Sequence, residues 1–334
     1  MISRRFFLAV GALAAVIGLL GWLSALPDRQ PAAVLASNGL PAVTFRLGLV
    51  PDRNISEQRQ AFRALAAYLE THVRLNRRMS TEGAAPALHV ELVTSTNYAS
   101  ILKDFHDGDV DGAFLGSLVA LLAVDRCGAQ VVAKSENQAG LDTYAGVLFV
   151  SENSPITSLA GLRGKKLAGV RTTMAGSIYP LFAFDRAGVD AAALPELVWC
   201  GTHDDVIDEV IAGHVDAGAV KDVRLNAYER EHAGVKFRRL GSGPRAPDNA
   251  LVVGSNTPAD LRDALLAALL AMRQDSQAEP VLEKLGLNGF AACELSEYAG
   301  LYDMIESLGP RWAATGIDGR APHRPTWAGG KAGE

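Results

Sequence analysis

The 334-residue chain carries 49% hydrophobic and 21% charged residues, close to a globular average, which excludes a wholly disordered or collagen-like protein. Its net charge of −5 excludes a global basic field for gripping nucleic acid. Three widely spaced cysteines, Cys127, Cys200 and Cys293, make neither a disulfide framework nor a zinc ligand set and read as small buried residues.

The N-terminus departs from that average. Phe6 to Leu26 is a run of 21 residues without a charge. As a helix it spans about 32 Å, against a hydrocarbon core of about 30 Å. Arg4 and Arg5 precede it as the positive flank of an export signal. Residues 3–9 are similar to the twin-arginine export consensus, with Ala9 where a lysine is common; a plain positive flank explains the arginines equally well. The spacer Pro27 to Pro41 has no cysteine to take a lipid, and Val34-Leu35-Ala36 is a weak cleavage site. Export is the inference, and both cleavage and retention as a membrane anchor stay open. Cleavage after Ala36 takes the charge from −5 to −7 by removing Arg4, Arg5, Arg29 and Asp28.

From Phe45 onward, strand-like and helix-like segments alternate. Phe45–Val50 is a short apolar run ended by Pro51, and Phe62, Leu65, Leu69 and Val73 follow at helical spacing. Leu88, Val90 and Leu92 alternate with His89 and Glu91 as in a strand, and Ile101, Leu102 and Phe105 share a helical face. Residues 112–115, 130–133 and 147–150 read as strands, with 117–124 as a helix. A second set follows: strands at 167–170, 197–199, 217–220, 237–240 and 251–253, with helices at 177–187 and 204–212. Thr257-Pro258 then starts a helix through Leu261, Leu265, Leu269 and Met272, and shorter helices occupy 280–285 and 296–308. The Gly- and Pro-rich stretch after Thr315 is expected to be disordered. Two successive alternating sets predict an α/β protein with mainly parallel sheets in two similar lobes.

No nucleophile elbow, Walker loop, zinc helix motif or dinucleotide fingerprint is present, and the seven histidines have no metal-ligand spacing. Cys200 near His203 is the nucleophile-plus-base pair closest in sequence, and a buried strand-end cysteine explains it better. No cofactor is predicted.

Five ordered blocks carry a resemblance. They are Gly48–Pro51; Tyr98 followed by Gly108 to Gly116; Tyr144 to Val150 with Ser154-Pro155-Ile156 and Leu159 to Lys165; Thr172 to Pro180; and Gly201-Thr202-His203 with Val215 to Ala219. A later Pro244, Pro247, Asp248, Asn249 segment follows. Together, over about residues 45–308, they resemble the phosphate/phosphite/phosphonate family of periplasmic binding proteins that serve ABC importers. The resemblance implies the type 2 periplasmic binding fold: two Rossmann-like lobes with a ligand cleft between them, preceded here by the hydrophobic export or anchor helix. The expected division is 1–43 export segment and spacer, 44–150 first part of lobe 1, 151–248 lobe 2, 249–314 return to lobe 1 with C-terminal helices, and 315–334 tail.

The implied partners are a small oxyanion and a permease of the cytoplasmic membrane, with no nucleic acid. The implied ligand-binding residues are Tyr98, Tyr144, Thr172, Thr173, Gly176, Ser177, His203, Asp248 and Asn249. General physics agrees with a cleft, since ligands sit beyond the carboxyl ends of strands, where helix N-termini favour anions. One departure stands out. The family's anion loop resembles Ser-Thr-Ser-Gly, whereas Thr173, Met174 and Ala175 precede Gly176 here, so two hydroxyls are lost. Thr172, Arg171, Ser177 and Lys221 are candidates to compensate, although Lys221 with Asp222 reads first as a solvated face. The alternative functions are a membrane-tethered ligand-sensing module of a signalling system, motivated by the long apolar run, and a binder of a different small ligand, motivated by the altered anion loop.

Overall fold

A computed structural model describes residues 34–35, 41–50, 55–75, 86–190 and 193–325. The apolar run 6–26 lies outside the described residues. Among those residues no helix is long and apolar enough to cross a membrane.

Two sheets organise the chain. The first contains β1 (Val34–Leu35), β2 (Pro41–Leu49), β3 (Ala87–Thr94), β4 (Gly112–Leu115), β5 (Gln130–Asn137), β11 (Ala250–Val253) and β12 (Leu287–Ala292). Its order is β1-β2-β4-β11-β5-β12, with β3 on β2. The second runs β10 (Phe237–Pro247), β6 (Thr143–Ser151), β9 (Ala217–Lys221), β7 (Lys166–Gly169), β8 (Glu196–Trp199). The alternation read in residues 88–92 appears in β3, where Leu88 and Val90 are buried while His89 and Glu91 face water.

The sheets are mixed, not mainly parallel. β3 and β4 run parallel to β2, and β8 and β9 parallel to β7. β11 is antiparallel to both β4 and β5, and β6 is antiparallel to both β9 and β10. The cause is the double crossover. The chain leaves the first sheet after β5, enters the second as β6, and returns from β10 to β11, so each sheet receives a strand running against its parallel set. This also moves the lobe boundary expected at residue 150 back to the β5–β6 connection. β6 belongs to the second lobe because its run Tyr144–Val150, buried on both faces, needs the central place between β9 and β10.

Helices cover the sheets. They are α1 (Ile55–His72), α2 (Tyr98–Asp107), α3 (Ser117–Cys127), α4 (Tyr179–Arg186), α5 (His203–Ile211), α6 (Asp222–Glu231), α7 (Ala259–Ala271), α8 (Glu279–Leu285) and α9 (Ala299–Leu308). Their starts are chemically marked. Asn97 Oδ1 accepts from the N–H groups of Ala99 and Ser100, and Ser100 Oγ accepts from Asn97, a reciprocal cap for α2. Thr202 and Asp205 do the same for α5. Gly108 ends α2 at φ 71°, a left-handed conformation that suits glycine.

One apolar core lies under α1, α7 and α8 and another under α5 and α6. A third is continuous between lobes, from Ile101 and Leu118 through Leu148 and Phe184 to Tyr302 and Leu308. α9, expected within the return to lobe 1, packs on α4 and β10 of the second lobe, and Arg311 pairs with Asp185 of α4 at 3.2 Å.

The stretch after Thr315, expected to be disordered, is packed as far as Arg324. Arg126 of the first lobe donates to the carbonyls of Asp318 (2.7 Å) and Arg320 (3.1 Å). Arg171 of the second lobe donates to Gly316 O at 3.2 Å. Trp312, buried, donates through Nε1 to Gly319 O at 3.0 Å. The segment is thus a strap that touches both lobes. Its glycines and prolines carry no periodicity, but the carbonyls of Gly316, Asp318, Gly319 and Arg320 are what two arginines and a tryptophan grip. Truncation after Thr315 is expected to lower stability by about 2–4 kcal/mol and to red-shift tryptophan emission. Urea denaturation followed by fluorescence measures both.

Candidate functional site

The parallel strands β7, β8 and β9 share one carboxyl edge, from which α4, α5 and α6 depart. In the first lobe β2, β3 and β4 share another, from which α2 and α3 depart. Tyr98 and His203 are the first residues of α2 and α5, both half-buried. Ser117 and Asp222 hold the same position in α3 and α6.

The turn after β7 is unusually tight. A π-helical turn, Met174–Ile178, precedes α4 and packs on β6, β7 and β9. A Cβ on Gly169 would overlap the Gly176 carbonyl, and one on Gly176 would overlap the Val170 backbone. Glycine at both places lets the helix start come down onto the sheet edge. Thr173 Oγ1 accepts from Gly176 N at 3.0 Å and donates to Val170 O at 2.9 Å. Ser177 Oγ donates to Thr173 O at 2.9 Å. Both hydroxyl protons are therefore committed inside the loop. Met174 and Ala175 are fully buried in the interlobe core, so the two positions that lack a hydroxyl pack inward. Thr172 sits half-buried beside them. Arg171 lies over the Trp199 ring at 5.1 Å while it grips the strap.

A second group forms where the two crossovers meet the end of β9. Lys221 is not on a solvated face. Its Nζ lies 2.6 Å from Asp248 Oδ1 and 3.2 Å from Asn249 Oδ1, and 4.3 Å from the centre of the Tyr144 ring. Asp248 Oδ1 also accepts from Asn249 N at 2.8 Å. The Tyr144 hydroxyl lies 2.9 Å from Ser117 Oγ, which donates to Pro247 O at 2.7 Å. This joins the start of α3 in the first lobe to β6 and β10 in the second. Burial pushes the Tyr144 hydroxyl above its ordinary range, and the Lys221 charge opposes that only in part, so the ring stays neutral. Neighbouring Asp222 accepts from Ala145 N and Val223 N and pairs with Arg245 at 3.2 Å.

Of the residues expected to bind ligand, Tyr144, Asp248 and Asn249 meet through Lys221, and Thr173, Gly176 and Ser177 meet in the loop. Tyr98, Thr172 and His203 are brought to the same two edges by their own elements. Sequence reasoning did not select Ser117 and gave Lys221 to solvent. Ser117 follows β4 after Gly116 and Lys221 is the last residue of β9, and that place at a strand's carboxyl end was the available signal. What Lys221 bonds to depends on the crossover 247–250, which is distant in sequence.

Two α/β lobes with a double crossover and helix starts at their carboxyl edges define the type 2 periplasmic binding class. A family model described as "ABC transporter, phosphonate, periplasmic substrate-binding protein" matches residues 47–298, and the chain belongs to that family. It is 26% identical over 205 residues to the phosphonates-binding periplasmic protein of Escherichia coli, covering 59% of this chain and 60% of that one. It is 25% identical over 231 residues to the phosphate-import protein PhnD of Mycolicibacterium smegmatis, covering 65% and 66%. The matches thus span under two thirds of these relatives. A binding protein component of an ABC phosphonate transporter from Pseudomonas aeruginosa shares the fold at TM-score 0.65 and 16% identity, covering 83% of this chain and 90% of that chain.

Two substitutions test the geometry. Gly176→Ala is expected to cost about 2–4 kcal/mol, because backbone stands where the methyl group would go. Tyr144→Phe is expected to cost about 1–2 kcal/mol by leaving Ser117 without that partner. Denaturant midpoints at neutral pH measure both.

Proposed function

We propose that the protein is an extracytoplasmic solute-binding component that captures a small oxyanion of the phosphonate, phosphite or phosphate kind and delivers it to an ABC permease. The observation that carries the reading is the meeting of the two carboxyl edges. Ser117 at the start of α3 bonds Tyr144, and the Lys221 ammonium at the end of β9 lies over the same ring. Helix starts bring backbone N–H groups and the positive end of the helix dipole to such an edge, which suits an anion. The proposed ligand residues are Tyr98, Thr172, His203, Asn249 and, in the 173–177 turn, the backbone N–H groups of Met174 and Ala175, those of Thr173, Gly176 and Ser177 being bonded within the loop. Asp248 and Tyr144 form the wall behind them.

Family membership supports a binding role without bond chemistry. Cys200 supports it too. Burial and the carboxylates of Glu209 and Asp205 push its thiol up, opposite to what a nucleophilic thiolate needs. The apolar run 6–26 behind Arg4 and Arg5 supports export, by the general or the twin-arginine route, with a cleaved or a retained segment. Fractionation of the expressed protein separates those two fates.

Ligand addition should raise the melting temperature. A ligand at a hundred times its Kd adds about 2.7 kcal/mol to the folded state. We expect phosphate, phosphite or methylphosphonate to give a shift of several degrees in a thermal melt. If these three and 2-aminoethylphosphonate all leave the melt unchanged, the oxyanion reading fails.

A further inference from the structure

We propose that the Lys221–Asp248 pair sets the class of ligand: the cleft takes oxyanions whose other end is uncharged and discriminates against those that carry an ammonium group. This rests on the oxyanion reading above and deepens it. An ammonium entering a cleft needs a carboxylate that is not already neutralised. Asp248 is not available. Its Oδ1 receives Lys221 Nζ at 2.6 Å and Asn249 N at 2.8 Å, and the two charged side chains are only 14% and 11% exposed. Asp222, next in sequence to Lys221, is held by Arg245 and two backbone N–H groups. Asp204 at the start of α5 is held by Arg224. Each of these three carboxylates has its cation within the protein, and Asp205, also in the first turn of α5, is turned back to cap the helix, accepting from Thr202 N at 2.8 Å. Lys221 itself, fixed by Asp248, Asn249 and the Tyr144 ring, repels a second ammonium brought near it. Breaking the pair to free Asp248 strands a charge that is largely removed from water, which is costly.

The test is calorimetric titration of the full chain with methylphosphonate and with 2-aminoethylphosphonate, which differ in the ammonium-bearing tail. Wild type should bind the amine at least about tenfold more weakly. In Lys221→Met the uncompensated Asp248 should favour the amine and shrink or reverse that ratio. Should that variant fail to fold, Lys221→Met combined with Asp248→Asn removes both charges, and the ratio should fall to within about threefold. Wild type binding both ligands equally, or the double variant keeping the wild-type ratio, overturns the inference and leaves the oxyanion reading intact. Wild type binding neither of these nor phosphite nor phosphate removes both.

Discussion

Lys221 stands where three constraints meet. It ends β9, faces the second crossover at Asp248 and Asn249, and covers the ring of Tyr144, whose hydroxyl reaches the start of α3 in the opposite lobe. A chain with net charge −5 repels anions at long range, so an anion site in it must be local. Partial charges at helix starts serve that purpose only if the carboxylates around them are neutralised first. Asp248 with Lys221, Asp222 with Arg245 and Asp204 with Arg224 meet this requirement at the carboxyl edge of the second lobe. The long-range field and the local field are thereby decoupled.

The loop after β7 meets a second requirement, close approach. Gly169 and Gly176 let two backbone segments touch, and Thr173 holds the turn from within. Burying Met174 and Ala175 in the interlobe core fastens the turn without hydroxyls. The N–H groups of Thr173, Gly176 and Ser177 are bonded within the loop as well, so its side-chain and backbone donors are largely committed to the turn itself. A site built this way depends more on helix starts and on contributions from the other elements than a hydroxyl-rich loop would. This is consistent with an ammonium being held nearby instead of lying in solvent.

Local chemistry was legible in the sequence where a short segment contains its own reason. The alternation of β3, the reciprocal caps of α2 and α5 and the glycine stop after α2 are contained in a few residues each. The five ordered blocks then supplied the two-lobe class and the candidate residues. What could not be read depends on partners remote in sequence. The buried run of β6 marks a central strand but not which sheet it joins. Lys221 beside Asp222 resembles a surface pair until the crossover brings Asp248 to it, 27 positions away. The strap looks disordered by composition because its order comes from partners remote in sequence: Arg126 and Arg171 grip its carbonyls, and its own Arg320 and Arg324 pair with Asp125 and Asp303.

The strap also bears on how the lobes move. Hinge closure around a ligand needs connections that bend without breaking the core. Here the lobes share a core and a Ser117–Tyr144 bond, and the C-terminal segment adds a further link beyond the crossovers. Its grips differ in kind. Trp312 is buried, whereas the bonds from Arg126 and Arg171 are exposed, and exposed polar contacts are worth about 0–1 kcal/mol each. Opening can therefore release the arginine contacts at small cost while the tryptophan keeps the segment anchored near α9. Until those contacts release, the strap links Arg126 of the first lobe to Arg171 of the second. The shared core and the Ser117–Tyr144 bond then carry the remaining contact between the lobes.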